Sequence, residues 1–345
     1  MKSTKKKNVI VPIFVSHMGC PNDCVFCNQR KIAKEWEPFD EVKLRLYIET
    51  YINSVKDKMN TNIDIAFYGG SFTGIEKEIQ NKYLCLAQEY VDRGLLRGIR
   101  MSTRPDYINE SILNNLKKYT INLIEFGVQS FDNEVLMISE RGHTANDVYV
   151  AVKLIKEYKL NFGIQLMIGL PTDTLFKSVE SAKKAAALKP STIRIYPTLV
   201  IKDTKLEEMF NKGIYKALSI ENAVNIAAEM YKIFTSNNIN VIRMGLQPTD
   251  NITSGGDVVS GPFHSSFRHL VESKLILEKI VIELKGLNTE KKTLKIKASN
   301  KKISEIVGIK KSNIKFLKEH YNFVKIFYEI NNDLQDNFTI EIMDG

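Results

Sequence analysis

Residues 18–28 read Met-Gly-Cys-Pro-Asn-Asp-Cys-Val-Phe-Cys-Asn, directly after an apolar run at residues 9–15. Three of the four cysteines, Cys20, Cys24 and Cys27, fall in this stretch with CxxxCxxC spacing, and the fourth, Cys85, stands alone. That is no disulfide framework; clustered thiols in a reducing compartment read as metal ligands. Thiolates are soft and suit iron–sulfur clusters or zinc. A closed electron-transfer cluster and a structural zinc site each take four protein ligands. Three thiolates leave one iron of a 4Fe–4S cluster open, as a substrate-activating cluster requires. The alternative is a Cys3His zinc site completed by His17, which lies only three residues from Cys20, tight for a zinc loop. Cys85 sits in a helical stretch at 80–92 and is expected to be a small buried apolar residue.

Outward from the motif the chain alternates two patterns. Strand-like runs occur at 9–15, 63–68, 99–102, 123–128, 162–168 and 193–196, with helical stretches at 41–56, 79–93, 110–118, 146–158 and 175–188 between them. Such alternation predicts a parallel α/β sheet, and six units predict a partial (β/α)6-type barrel. A doubly wound open sheet is the rival. A helix at 219–237, a late strand at 241–246 and a helix at 263–280 follow, the last closing or covering the barrel.

Polar and glycine-rich clusters sit where the predicted strands end, which is the catalytic face of a parallel barrel. Strand two ends in Tyr68-Gly69-Gly70-Ser71, and paired glycines let backbone approach a ligand. Strand three ends in Ser102-Thr103-Arg104-Pro105-Asp106; the planar fork of Arg104 suits a carboxylate, whether of a ligand or of Asp106. Strand four ends in Gln129. Gln165, a polar residue inside an apolar strand, must find a partner or line a cavity. Thr144 is placed to cap a helix. His143 either faces the site or is a surface turn histidine, and His264 either approaches the site from the chain after the barrel or belongs to a helix-start turn.

The CxxxCxxC spacing, with the aromatic Phe26 before the last cysteine, resembles the signature of the radical S-adenosylmethionine superfamily. The resemblance implies that Cys20, Cys24 and Cys27 hold a 4Fe–4S cluster whose open iron chelates S-adenosylmethionine. An electron from the cluster, delivered by a reductant such as flavodoxin or ferredoxin, would cleave the sulfonium and yield a 5′-deoxyadenosyl radical. It also implies cofactor contacts from Phe26, Gly69, Gly70, Ser102, Arg104 and Gln129, with Ser71 standing where an acidic residue is often found. It assigns no catalytic residue for the final step. The phrases GGSF, STRPDYI, EFGVQSFD, RGHT, MIGLP and IYPTLVIKDTKLEEM occur in that order. They resemble the radical domain of the Elongator catalytic-subunit family over residues 8–250. That family acts on wobble uridines of transfer RNA with the adenosyl radical and acetyl-coenzyme A. Here too little chain follows Lys285 for an acetyltransferase domain, so acetyl transfer is not carried over.

Residues 290–345 differ in composition and are expected to form a second unit after a first at 1–285. The formal net charge is +9, and the eleven lysines of residues 285–318, opposed only by Glu290 and Glu305, account for all of it. A basic block at one end points to a polyanion such as RNA, or else to a solvated lysine-rich face. The order strand, helix, helix, strand, strand resembles a KH domain, whose GxxG turn clamps a nucleic-acid backbone. The turn here is Gly308-Ile309-Lys310-Lys311, with Lys311 in place of the second glycine. The resemblance implies RNA contacts from Gly308, Lys310, Lys311 and Asn313.

The chain is long enough for one large core and a small appended unit. No apolar run reaches about 18 residues, so no membrane span and a cytoplasmic protein are expected. The functional expectation is modification of a transfer RNA base by a radical enzyme. The alternatives are a radical enzyme for a small metabolite such as a porphyrin, and a non-enzymatic cysteine–metal protein.

Overall fold

A computed structural model describes residues 6–15, 24–27, 39–246 and 256–344. The sequence alternation becomes β1 (Lys7–Phe14), α1 (Glu41–Ser54), β2 (Thr61–Tyr68), α2 (Lys77–Asp92), β3 (Gly98–Thr103), α3 (Glu110–Leu116) and β4 (Ile121–Gln129). It continues with α4 (Asn133–Ile138), α5 (Ala145–Glu157), β5 (Phe162–Ile168), α6 (Leu175–Ala187) and β6 (Thr192–Pro197). Then come β7 (Val200–Ile201), α7 (Lys205–Asn211), α8 (Ile220–Ser236), β8 (Asn240–Met244), β9 (Val258–Ser260) and α9 (Phe267–Leu284).

Seven strands make one parallel sheet in the order β1-β2-β3-β4-β5-β6-β8. Each new strand adds on the same side. A doubly wound sheet would reverse its order at a switch point, so that rival is excluded. Among the described residues β1 and β8 do not pair, and the sheet is an open, partial barrel. The short β7 pairs antiparallel with β9 outside it.

The strand residues divide by parity. Ile65, Phe67, Ile99, Met101, Ile124, Phe126, Val128, Ile193 and Ile195 are at most 2% exposed and belong to one apolar cluster with the helices. Each buried side chain of this kind contributes about 1.5–3 kcal/mol. Their neighbours of opposite parity, Asp64, Tyr68, Arg100, Ser102, Glu125, Gln129, Gln165 and Arg194, line cavities at the two ends of the barrel. The period-2 pattern therefore separates a hydrophobic layer outside the sheet from a polar bore inside it.

Helix starts follow local chemistry. Asp40, Asn109, Asp132, Thr174, Thr204 and Ser219 each accept a hydrogen bond from the backbone N–H three residues on. Asp147 accepts from the N–H of Thr144 at 2.7 Å, so the expected cap at Thr144 is in place. Two expectations are corrected. The helix placed at 263–280 starts at Phe267, because His264 Nδ1 accepts from Ser266 N at 3.0 Å and holds a turn before it. Cys85 is exposed on α2 with its sulfur 3.5 Å from Tyr119 Oη, rather than buried.

The C-terminal unit consists of β10 (Thr293–Ala298), α10 (Asn300–Val307), α11 (Ser312–Tyr321), β11 (Lys325–Ile330) and β12 (Phe338–Met343). Central β10 runs parallel to β11 and antiparallel to β12. Its core is separate from the barrel's: Leu294, Ile296, Ala298, Ile306, Leu317 and Phe323 pack on Ile276, Ile280 and Leu284 of α9. The first turns of α9, Phe267 and Val271, belong to the barrel core instead. One helix thus serves both units. No helix among the described residues is long and apolar enough to cross a membrane.

Candidate functional site

A cavity of about 260 Å³ opens at the C-terminal ends of the strands. Its wall includes Cys24, Phe26 and Cys27, and also Gly69, Gly70, Ser102, Arg104 and Gln129. All six residues expected to touch a cofactor therefore converge with two of the three expected metal ligands. Cys20 and His17 lie outside the described residues. Cys24 is 4% exposed and Cys27 half-buried. The N–H of Cys27 donates to the carbonyl of Cys24 at 2.9 Å, closing a turn that presents both cysteines on the cavity wall. Val25, between them, donates to Ser139 O at 3.2 Å and accepts from Leu206 N at 2.8 Å, which fastens the loop to the chain after α4 and to α7.

The wall is built for close approach. Gly69 has φ +98°, and a Cβ there would stand 3.0 Å from the carbonyl oxygen of Val15. Gln129 holds φ +68°, a left-handed conformation unusual for a side-chain-bearing residue, where the pairing of β4 with β5 shifts register. Such strain clusters at functional sites. Gln165 donates to Gln129 Oε1 at 3.3 Å, so the polar residue expected to line a cavity does so with a partner. Arg104 is 1% exposed and forms a two-pronged pair with Asp106 at 2.9 and 2.7 Å. Its side chain both shapes the turn and faces the cavity.

Several cavity residues were not singled out from sequence. Glu125 is 4% exposed and accepts from Arg194 Nε at 2.7 Å and Nη2 at 3.1 Å, with Arg100 at 3.6 Å. Arg194 also donates to Tyr68 Oη and Tyr196 Oη, each at 3.1 Å. Burial opposes the Arg194 charge, but Glu125 and the two phenols outweigh it and keep the guanidinium protonated. Burial, then Glu125, pushes the Tyr68 phenol above its ordinary range. This bar of side chains crosses the bore. Beyond it lies a cavity of about 610 Å³ at the strand starts, lined by Arg97, Arg100, Arg194, Arg243, Arg268 and Asp64. Arg141 also lines the upper cavity, whereas His143 lies behind it with Nε2 3.2 Å from Val128 O. Burial, then the Arg141 charge, lowers His143 to about 3, so the ring is neutral. A charged residue inside an apolar strand was the available signal for Glu125 and Arg194.

The donor set fits an iron–sulfur cluster and S-adenosylmethionine. Soft thiols face glycine backbone, an amide pair and buried guanidinium groups in one cavity.

On the C-terminal unit, Gly308 is buried with φ +73°. Lys310 and Lys311 are exposed, with φ +53° and +60°. The position where a second glycine was expected is thus left-handed, and a lysine occupies it. Lys311 is the residue before α11, Lys315 and Lys318 follow on the helix at i, i+3 spacing, all three are exposed, and none of them has an ion-pair partner among the described residues. Lys295, Lys297 and Lys302 are by contrast paired with Glu329, Glu341 and Glu305. Asn313 is corrected: it is 5% exposed, and its amide donates to Ser273 O at 2.9 Å and Glu305 O at 3.2 Å, bracing α11 on α9.

Comparison with known proteins agrees with the geometry. The Radical SAM superfamily model matches residues 15–185, and the Radical SAM C-terminal domain model matches residues 190–276. An uncharacterized protein of Methanocaldococcus jannaschii is 28% identical over 66% of this chain and 72% of its own length. The tRNA uridine(34) acetyltransferase of the same organism is 27% identical over 63% of this chain and 47% of its own. Human Elongator complex protein 3 is 28% identical over 59% and 40%. The chain therefore spans less than half the length of these last two proteins. Among solved structures, the archaeal Methanocaldococcus infernus Elp3 with an N-terminal deletion superposes with a TM-score of 0.62 at 24% identity, over 81% of this chain and 64% of that one. The polar-bored partial barrel, the cysteine loop at its C-terminal end and the two matching models lead to one assignment: the chain is an enzyme of the radical S-adenosylmethionine superfamily, whose members use a 4Fe–4S cluster and S-adenosylmethionine.

Proposed function

We propose that this enzyme acts on RNA, and within RNA on a base of transfer RNA. The observation that carries the chemistry is the meeting of Cys24 and Cys27 with Phe26, Gly69, Gly70, Ser102, Arg104 and Gln129 around one cavity. In this reading Cys20, Cys24 and Cys27 hold the cluster. Gly69 and Gly70 offer backbone to the S-adenosylmethionine, and Phe26, Ser102, Arg104 and Gln129 orient it. The bound group supplies one-electron cleavage of a sulfonium to an adenosyl radical. The bar of Glu125, Arg194 and Tyr68 floors the cavity, so substrate enters from the strand-end side.

RNA as the substrate is supported by relatives whose names specify tRNA uridine(34) and Elongator. It is supported further by the exposed Lys310–Lys311 turn and the lysine stripe of α11. These side chains seek phosphate and would position an RNA without reading its sequence. Electrons come from a flavodoxin- or ferredoxin-type donor, and a tRNA substrate places the work in the cytoplasm.

The test is anaerobic reconstitution, reduction, and measurement of 5′-deoxyadenosine with and without bulk tRNA. We expect turnover that tRNA stimulates, and none in Cys24→Ala. Turnover indifferent to tRNA, with no tRNA bound at moderate salt, would return the substrate to the small metabolites.

A further inference from the structure

Arg141 follows α4 at the rim of the cavity and is 8% exposed. Its Nη2 donates to the carbonyl of Gly127 at 2.6 Å, and its Nη1 donates to Cys24 Sγ at 3.3 Å. Its Nε is buried with no partner. Gly127 makes room for the guanidinium: a Cβ there would stand 2.8 Å from Nη2. The cysteine loop is tied to the same turn, since Val25 N donates to Ser139 O. Guanidinium and sulfur are thus held in one local frame.

A guanidinium does not give up its proton in a protein. Among the described residues no carboxylate pairs with Arg141, in contrast to Arg104 on Asp106 and Arg194 on Glu125. The acceptors that the fold gives this buried cation are the Gly127 carbonyl and a cysteine sulfur. A charge-assisted donor to a sulfur ligand favours whichever state of the cluster is more negative, and burial keeps that field from being screened. Hydrogen bonds to the sulfurs and burial are among the factors that set cluster potentials.

We propose that Arg141 is a positioning residue that tunes the cluster through Cys24. It favours uptake of the single electron and raises the midpoint potential of the 2+/1+ couple above the value the three thiolates alone would give. The inference rests on the reading of Cys24 as a cluster ligand.

The experiment compares the full-length chain with Arg141→Gln, Arg141→Lys and Gly127→Ala, each reconstituted anaerobically. Iron and sulfide are assayed first. Dithionite titration in the presence of redox mediators, without S-adenosylmethionine, is then followed by the electron paramagnetic resonance signal of the reduced cluster. We expect Arg141→Gln to keep its iron and to be about tenfold harder to reduce, a shift of about 59 mV to more negative potential for one electron. Arg141→Lys should fall between it and the parent. Gly127→Ala, which displaces the guanidinium without removing it, should shift in the same direction. A parental midpoint in Arg141→Gln with full iron overturns the proposal. So does weakened S-adenosylmethionine binding at an unchanged midpoint, which would assign the guanidinium to the carboxylate of that cofactor. If both Arg141 variants lose iron, a parental midpoint in Gly127→Ala overturns it, and a negative shift there sustains it. Failure of the parent chain to take up any iron defeats the ligand reading instead, a distinguishable result.

Discussion

The barrel and the C-terminal unit handle charge in opposite ways. In the barrel bore, Glu125, Arg100 and Arg104 are buried and Arg194 is half-buried, and all are matched to carboxylates, phenols or guanidinium groups. On the C-terminal unit, Lys310, Lys311, Lys315 and Lys318 are exposed, and no ion pair joins them to the described residues. Buried pairs are weakly screened and costly to break, whereas exposed charges act at a distance and fade with salt. Charge in the barrel therefore maintains geometry, while charge on the small unit is available to a partner.

The sharpest way to break this contrast is Arg194→Met. It leaves Glu125 with Arg100, at 3.6 Å, as its remaining ion-pair partner among the described residues, and we expect a loss of about 1–3 kcal/mol in stability, read by denaturant unfolding. A loss below about 1 kcal/mol would mean that water already reaches the bar. Acid provides a second probe. Between pH 6.5 and about 3 the unfolded chain protonates His143 while the folded chain refuses the proton. Stability should fall as pH drops through that window, and His143→Gln should flatten part of the slope in thermal melts. On the other unit, Lys310→Glu with Lys311→Glu should weaken RNA binding about tenfold and make the dependence of log affinity on log salt shallower, with no change in melting temperature. An unchanged salt dependence would leave these lysines as solvated surface. The smallest effect is expected at Cys85→Ala, within about 0.5 kcal/mol and with iron content unaltered, because the side chain is exposed.

The same division explains what could be read from sequence. Strands such as Phe162–Ile168 were legible to the residue because apolar runs bounded by turns leave few alternatives. The cavity-lining Gly69, Gly70, Ser102, Arg104 and Gln129 were legible from their place at strand ends. Cys85 was misplaced although the signal existed. The buried positions of α2 are Gln80, Tyr83, Leu84, Leu86, Ala87 and Tyr90, and Cys85 falls beside that stripe. Asn313 was read as a contact from its motif alone, but an asparagine at the start of a helix serves a neighbouring backbone as readily as a ligand. The antiparallel pairing of β7 and β9 joins two- and three-residue strands nearly sixty positions apart, too short for any periodicity. The Glu125 network was hidden for a different reason. Its members come from β2, β3, β4 and β6, and no local pattern says which partners a strand-borne charge will meet.

That network also bears on the shape of the barrel. Among the described residues the backbone ladder stops at β1 and β8, and nothing in its hydrogen-bonded order joins one edge of the sheet to the other. Glu125 reaches past β5 to Arg194, and Arg194 reaches on to Tyr68 on β2. These chords span the bore like the inner struts of an unhooped cask. The spread of the staves is then set by the covalent reach of a glutamate, an arginine and a tyrosine, so shortening one strut, as in Glu125→Asp, would draw the mouth of the cavity inward without touching any residue on its rim.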